Sequence, residues 1–147
     1  MTIEYTLNEG LERCIWVIEN TKENPILVAV YGWPKSGKSY FINRLKAYFE
    51  SINIDTLAHE GAPEVYTFEV IKERVKHFSD KRWIQIFHCG WDRNEKIFRG
   101  QDPNNLARLV LKRKLDLNIG MYNPNLYKKV IGTYDIIISN PDSKMRK

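Results

Sequence analysis

Cysteine is scarce in this sequence, and no long hydrophobic run occurs in it. The 147 residues include only Cys14 and Cys89, so nothing indicates a disulfide framework or a zinc knuckle, and we expect a reducing, cytoplasmic setting. No apolar stretch approaches the length of about 20 residues that a membrane-spanning helix needs. The first residues are polar and acidic, so we expect neither a secretory signal nor a membrane partner.

The excess of positive charge is moderate. Lys and Arg number 23 against 18 Asp and Glu, which gives a net charge of +5. The basic residues are dispersed and interleaved with acids, a pattern typical of a solvated surface. A positive surface favours anionic partners but does not separate nucleotides from nucleic acid. A nucleic-acid-binding role would rest on this charge alone, so we expect no nucleic-acid partner.

Helical and strand-like patterns alternate along the chain. Apolar residues at helical spacing predict four helices, over 8–20, 38–49, 64–78 and 103–120. Apolar runs predict strands over 26–31, 52–58, 82–90, 95–98 and 134–140. This alternation predicts a mostly parallel sheet covered on both faces. We expect a single domain over 1–147, with an N-terminal helix and link (1–24), a core (25–140) and a basic tail (141–147).

The most specific motif joins the strand at 26–31 to the helix that follows. Residues 32–39, GWPKSGKS, match the pattern G-x-x-x-x-G-K-[ST] at every position. Glycine at both ends permits a tight turn and a close approach of backbone N–H groups to a phosphate chain. The loop opens onto a helix N-terminus, which favours anions. Lys38 would reach the terminal phosphates, and the Ser39 hydroxyl would hold Mg²⁺.

This motif predicts a P-loop NTPase-type three-layer α/β/α domain that binds a nucleoside triphosphate, ATP with Mg²⁺ being the expected cofactor. Lys35 either adds a second cation near the phosphates or is an exposed loop lysine. The GTPase motifs Asn-Lys-x-Asp and D-x-x-G do not occur in the sequence. We call the expected phosphate-binding surface of this loop the cradle. The residues expected to line it are Gly32, Trp33, Pro34, Lys35, Ser36, Gly37, Lys38, Ser39 and Tyr40.

Several segments, taken in order, resemble the uridine kinase and phosphoribulokinase-like family of small-molecule kinases. The family's strand and P-loop are similar to PILVAVYGWPKSGKS, and its acidic segment and following helix to AHEGAPEVYTFEVIKERV. Its apolar strand that ends in Glu-Gly is similar to WIQIFHCGW. Its lid helix is similar to EKIFRGQDPNNLARLVLKRKLDLNIG, and its closing strand to YDIIISN.

The resemblance implies ATP-dependent phosphoryl transfer to a small hydroxyl compound, with a nucleoside as the first candidate. It implies that Glu60, with His59 beside it, orients the acceptor hydroxyl; otherwise Glu60 is a loop acid, and the earlier Asp55 is expected to face solvent or to lie within its strand. It also implies that Arg108 or Arg113 on the lid helix contacts the transferred phosphoryl group; otherwise both belong to a salt-bridged helix surface.

Two departures from the family pattern leave a second function open. Cys89 stands where the family has a glutamate, and a thiol is a poor Mg²⁺ ligand because this ion prefers hard oxygen donors. Asp92, just beyond, is the candidate to replace it, whereas His88 and Cys89 are expected in the core or cleft. The lid signature R-D-x-x-x-R-G is also not intact. The alternative is therefore a nucleotide-binding protein without kinase activity that acts as a sensor or binding partner. The sequence leaves the oligomeric state open.

Overall fold

A computed structural model describes residues 3–32, 35–58, 67–89, 103–126 and 133–141. These residues form six strands and four helices. In chain order they are β1 (Glu4–Tyr5), α1 (Leu7–Glu19), β2 (Ile26–Gly32), α2 (Lys38–Ser51), β3 (Asp55–Ala58), α3 (Phe68–His77), β4 (Trp83–Cys89), α4 (Pro103–Leu111), β5 (Leu117–Tyr122) and β6 (Ile136–Ser139).

Local side-chain hydrogen bonds define where two of the helices begin. Thr6 caps α1, because its hydroxyl accepts from the backbone N–H of Glu9 and the Glu9 carboxylate accepts from the N–H of Thr6. Thr67 caps α3 by accepting from the N–H of Val70 at 3.2 Å. Such caps satisfy N–H groups that the first turn of a helix leaves without partners.

The six strands form one all-parallel sheet in the order β1-β6-β5-β2-β4-β3. β2 lies inside the sheet between β4 and β5, and every one of its residues is buried. This agrees with its continuous apolar sequence, since a strand covered on both faces needs apolar side chains on both sides. The expected parallel sheet is confirmed.

Helices cover both faces of this sheet. On one face, α1 and α2 pack against the strands through residues such as Cys14, Phe41 and Phe49. On the other face, Ile71 of α3 and Leu106 of α4 belong to a second apolar cluster. This α/β arrangement is compatible with the three layers predicted from the sequence. Among the described residues, no helix is long and apolar enough to cross a membrane.

The predicted helix over 103–120 is wrong in its second half. α4 ends at Leu111, and Lys112 takes the left-handed conformation with φ 60°, which a continuing helix does not permit. Residues 117–122 instead form β5, in which Leu117, Ile119 and Met121 are buried against the helices α1 and α2. The apolar residues of this segment therefore alternate with strand period and pack on the sheet.

The other predicted elements overlap observed ones where the structure describes them. Helices occur within or beside 8–20, 38–49 and 64–78, and strands within 26–32, 52–58, 82–90 and 134–140. The two-residue strand β1, which pairs with Ile137 and Ile138 of β6, was not predicted. The proposed strand at 95–98 and all but the first residue of the basic tail lie outside the described residues.

Candidate phosphate-binding site

The glycine-rich loop leaves the sheet at a point where the chain changes direction. From β2 the chain crosses to β3 on one side, whereas β5 continues to β6 on the other side. Ligands of open parallel sheets bind at the carboxyl ends of strands where such a reversal occurs. β2 ends at Gly32 and α2 begins at Lys38, so this loop lies at that edge. Trp33 and Pro34 lie outside the described residues.

The loop enters α2 through a glycine that offers no side-chain cap. Gly37 is the N-cap residue, with φ 91° and ψ 16°, and it makes no side-chain hydrogen bond to the first turn. Lys35 also has a positive φ, 64°. Left-handed residues in a turn can make successive N–H groups converge on an anion. A helix start capped in this way is suited to an external anion, because the helix dipole favours negative charge there.

Gly32 is required by packing against the neighbouring strand. A Cβ atom at this position would lie 2.4 Å from the backbone oxygen of Met121 in β5 and 2.9 Å from Ser36 Oγ. The first glycine of the motif therefore lets the loop start against the neighbouring strand. The sequence pattern explained this glycine by a tight turn and a close approach to a phosphate chain, and the packing role is visible only in the folded chain.

The buried hydroxyl of Ser36 is the clearest sign that the loop suits a ligand. Its side chain is 1% exposed, and among the described residues its Oγ has no hydrogen-bond partner. A buried hydroxyl without a partner costs about 1–3 kcal/mol. A phosphoryl oxygen bound in the loop is the kind of acceptor that such a hydroxyl needs. The residues of the loop thus fit a polyphosphate.

Lys38 folds back over the loop. Its side chain is 8% exposed, and its Nζ donates a hydrogen bond to the backbone oxygen of Gly32 at 2.7 Å. Burial lowers the pKa of Lys38 from 10.5 to about 8, and the neighbouring Cys89 opposes this by favouring the charged ammonium. A phosphate would also favour that charge, because an opposite charge offsets the cost of burial. The ammonium group of Lys38 therefore lies beside the first glycine of the loop.

Cys89 ends β4 next to the loop and is buried. It pairs in register with Tyr31 of β2, and its Sγ lies 3.7 Å from the backbone oxygen of Phe87. The strand beside the loop therefore ends in a thiol where a magnesium-binding carboxylate was sought. His88 is buried too, as expected. Asp92 lies outside the described residues, and within those residues no group of three His, Cys, Asp or Glu side chains could hold a metal ion.

Ser39 and Tyr40 follow in the first turn of α2. Ser39 is half-buried, and its hydroxyl is the described group that would hold Mg²⁺. Tyr40 is exposed, and its OH accepts a hydrogen bond from Arg44 Nη1 at 2.7 Å. The chain therefore supplies one candidate oxygen ligand for Mg²⁺ at the loop, among the residues that the structure describes.

The structure separates Arg113 from the loop. Arg113 follows α4, and its guanidinium donates to Asp116 and to the backbone oxygen of Pro25 and pairs with Glu23 at 3.6 Å. These groups lie before β5 and β2, at the amino ends of the strands, whereas the loop lies at the carboxyl ends. Arg113 therefore does not lie where it would contact a phosphoryl group at the loop, which corrects the expectation.

Of the remaining candidates, two are described and two are not. Arg108 is on the exposed side of α4 and donates to Asn105 Oδ1. Asp55 begins β3 at the amino edge and pairs with Lys81 at 3.4 Å, in line with the expectation that it faces solvent. His59 and Glu60 lie outside the described residues.

Two asparagines at the same edge were missed by reasoning from the sequence. Asn123 follows β5 and Asn140 follows β6, and both are buried against the loop. Their carboxamides donate to the backbone oxygens of Lys35 and Ser36. Asn140, the polar end of the apolar strand predicted over 134–140, was the one signal available for this edge; Asn123 gave none, because the preceding segment was predicted as a helix.

Comparison of the chain with family models, with curated proteins and with solved structures found no match in any of the three. The chemistry of the site is therefore inferred from its own residues. These residues offer a backbone cradle, a buried ammonium group, an unsatisfied hydroxyl and a hydroxyl in the first helical turn. Together they suit the phosphate chain of a nucleotide.

Proposed function

We propose that this chain binds a nucleoside triphosphate, ATP with Mg²⁺, in the loop 32–39 and transfers its terminal phosphoryl group to a small hydroxyl compound such as a nucleoside. The observation that carries the proposal is the Ser36 hydroxyl, which is buried with no hydrogen-bond partner among the described residues, in a loop that matches the P-loop pattern. The fold supports it, because the loop lies at the carboxyl edge of a parallel sheet where the strand order reverses.

The roles follow from chemistry. Lys38 would exchange its hydrogen bond to Gly32 for the phosphate chain and offset negative charge there. Backbone N–H groups of the loop and of the first turn of α2 would hold the phosphate oxygens. Mg²⁺, when bound, supplies charge neutralisation across the phosphates, and the Ser39 hydroxyl would hold it. Glu60 remains the candidate to orient the acceptor, and Arg108 the candidate lid arginine.

A second function is favoured by one specific observation. β4 ends in Cys89 beside the loop, and Arg113 lies at the opposite edge of the sheet, so two groups expected to assist transfer are absent from the described part of the site. The chain would then bind the nucleotide as a sensor or binding partner without transferring phosphate. Both functions require the same cradle and differ only in the chemistry that follows.

Thermal unfolding with and without MgATP tests the binding step. At about one hundred times its dissociation constant, the ligand should add roughly 2.7 kcal/mol to the free energy of unfolding. For a domain of this size, that is a rise in Tm of several degrees. The rise should vanish in Lys38→Ala and persist in Lys46→Ala, a matched control two turns further along α2 that bonds to Glu50. A rise that survives Lys38→Ala contradicts the phosphate role.

A panel of nucleosides then separates the two functions. ADP release from MgATP is measured with each nucleoside and without an acceptor. Release above the acceptor-free rate supports the kinase. If binding is intact and no acceptor raises release, the function without transfer is supported instead.

A further inference from the structure

Two buried asparagines donate hydrogen bonds to consecutive backbone carbonyl groups of the loop, a pair of contacts that we call the grip. Asn123 Nδ2 lies 3.4 Å from the backbone oxygen of Lys35, and Asn140 Nδ2 lies 3.2 Å from that of Ser36. The asparagines come from the ends of two different strands, β5 and β6, and they are far from the loop in sequence. The loop is therefore held, through its carbonyl groups, by residues at the ends of β5 and β6.

A second hydrogen bond orients the Asn123 carboxamide, and a backbone hydrogen bond fixes the position of Asn140. The backbone N–H of Asn125 donates to Asn123 Oδ1 at 2.9 Å, so the amide nitrogen of Asn123 is the end that faces the loop. The backbone N–H of Asn140 donates to the oxygen of Tyr122 at 2.8 Å, which ties the end of β6 to the end of β5. Both side chains are thus presented to the loop by a rigid edge of the sheet.

Because the peptide group is planar, a hydrogen bond to its carbonyl group also fixes the direction of its N–H group. In a trans peptide, the C=O of one residue and the N–H of the next point in opposite directions. A hydrogen bond that holds the C=O of Lys35 therefore also directs the N–H of Ser36, and the bond to Ser36 directs the N–H of Gly37. These two N–H groups point away from the asparagines. They are successive donors of the proposed cradle, just before α2 begins.

The asparagines do not suit direct recognition of a ligand. Both are almost fully buried, and the donor end of each amide is bonded to the loop. A residue that reads a nucleotide base must expose its amide to the base instead. Their contribution would therefore act through the loop, and it would be felt by the phosphate end of the ligand.

We propose that Asn123 and Asn140 are positioning residues that hold the loop in its anion-binding shape before the nucleotide arrives. This inference rests on the proposed nucleotide binding. It implies that loss of either grip weakens the binding of pyrophosphate and of ATP by the same factor, because the lost effect concerns the phosphates and not the base. The loop also takes a positive φ at Lys35, a conformation that a non-glycine residue adopts at some cost.

The test compares Asn123→Leu and Asn140→Leu, which keep the approximate size of the side chain and remove its donor. Asn118→Leu is the matched control, because Asn118 lies on the same strand β5 but near its other end. Calorimetry measures the dissociation constants of MgATP and of magnesium pyrophosphate. Asn123→Leu and Asn140→Leu should each bind both ligands about three- to tenfold more weakly, which is the effect of losing one hydrogen bond. The dissociation constants of Asn118→Leu should differ from those of the unchanged protein by less than about twofold.

Amide hydrogen exchange with saturating magnesium pyrophosphate, followed by NMR, adds a readout that general destabilisation would not produce. In each variant, exchange at Ser36 and Gly37, the proposed donors to the anion, should be faster than in the unchanged protein, while the amides of β2 keep their protection. If Asn140→Leu does not fold, Asn140→Ser and the Asn123 variant carry the same comparison. Unchanged affinity and exchange in folded variants would overturn the positioning role. An unchanged protein that binds neither ligand would overturn the proposed function as well.

Discussion

The buried ammonium of Lys38 predicts a specific dependence of stability on pH. Burial lowers the pKa of Lys38 from 10.5 to about 8 in the folded chain. The unfolded chain keeps the proton up to about pH 10.5, whereas the folded chain releases it near pH 8. Between these values the unfolded state binds more protons, so the free energy of unfolding should rise with pH.

The size of the effect follows from the same two values. A drop in pKa from 10.5 to about 8 corresponds to about 3 kcal/mol, which is the cost of burying the charged amine. This cost is fully present below about pH 8 and is removed as pH approaches 10.5. Relative to Lys38→Met, which keeps an unbranched side chain without the amine, the unchanged protein should gain up to about 3 kcal/mol over this range.

Urea unfolding at several pH values between 7 and 10.5 measures the difference between the two proteins. Taking this difference removes the titration of groups that both proteins share and that do not interact with Lys38 as Cys89 does. Lys46→Met reports the general effect of losing a lysine from α2. Saturating pyrophosphate should flatten the curve, because a bound anion stabilises the charged amine. A difference between the unchanged protein and Lys38→Met that does not vary with pH, without ligand, would refute the burial of this charge.

Two further predictions concern packing and charge. Gly32→Ala should lower the free energy of unfolding by about 1–3 kcal/mol, because its Cβ would lie 2.4 Å from the Met121 oxygen; an unchanged urea midpoint would contradict this. Arg113→Ala should cost about 1–3 kcal/mol through its lost bonds to Asp116 and Pro25, yet leave the calorimetric affinity for MgATP unchanged. Weaker binding of MgATP by folded Arg113→Ala would contradict this and indicate that Arg113 belongs to the binding site.

The sequence was sufficient for elements whose signal is local. The strand ending at Gly32, the loop and α2 were predicted together, because a doubly buried strand, a glycine turn and a helical period each have a short-range pattern. The prediction failed at 112–120, where apolar residues fit a helix as well as a strand. There the left-handed Lys112 and the pairing of β5 with β2 and β6 decided the outcome, and neither is visible in a short window.

The same distinction applies to the site. Lys38, Ser36 and Ser39 could be assigned from their spacing, since a P-loop draws its donors from consecutive residues. Arg113 was misplaced because its position depended on the wrongly extended helix. Cys89 is buried, as expected of a core or cleft residue, but its place beside the loop follows from the pairing of β4 with β2, which the sequence did not predict.

By itself, the sequence determined a glycine-rich loop with the P-loop pattern between a buried strand and a helix, because backbone conformation and donor chemistry there depend on neighbouring residues. Only the tertiary structure decided what surrounds that loop. Asn123 and Asn140 reach it from 88 and 104 residues away, and Met121 leaves no room for a side chain at Gly32. Such contacts depend on which strands become neighbours, and that order is set by the packing of the whole sheet.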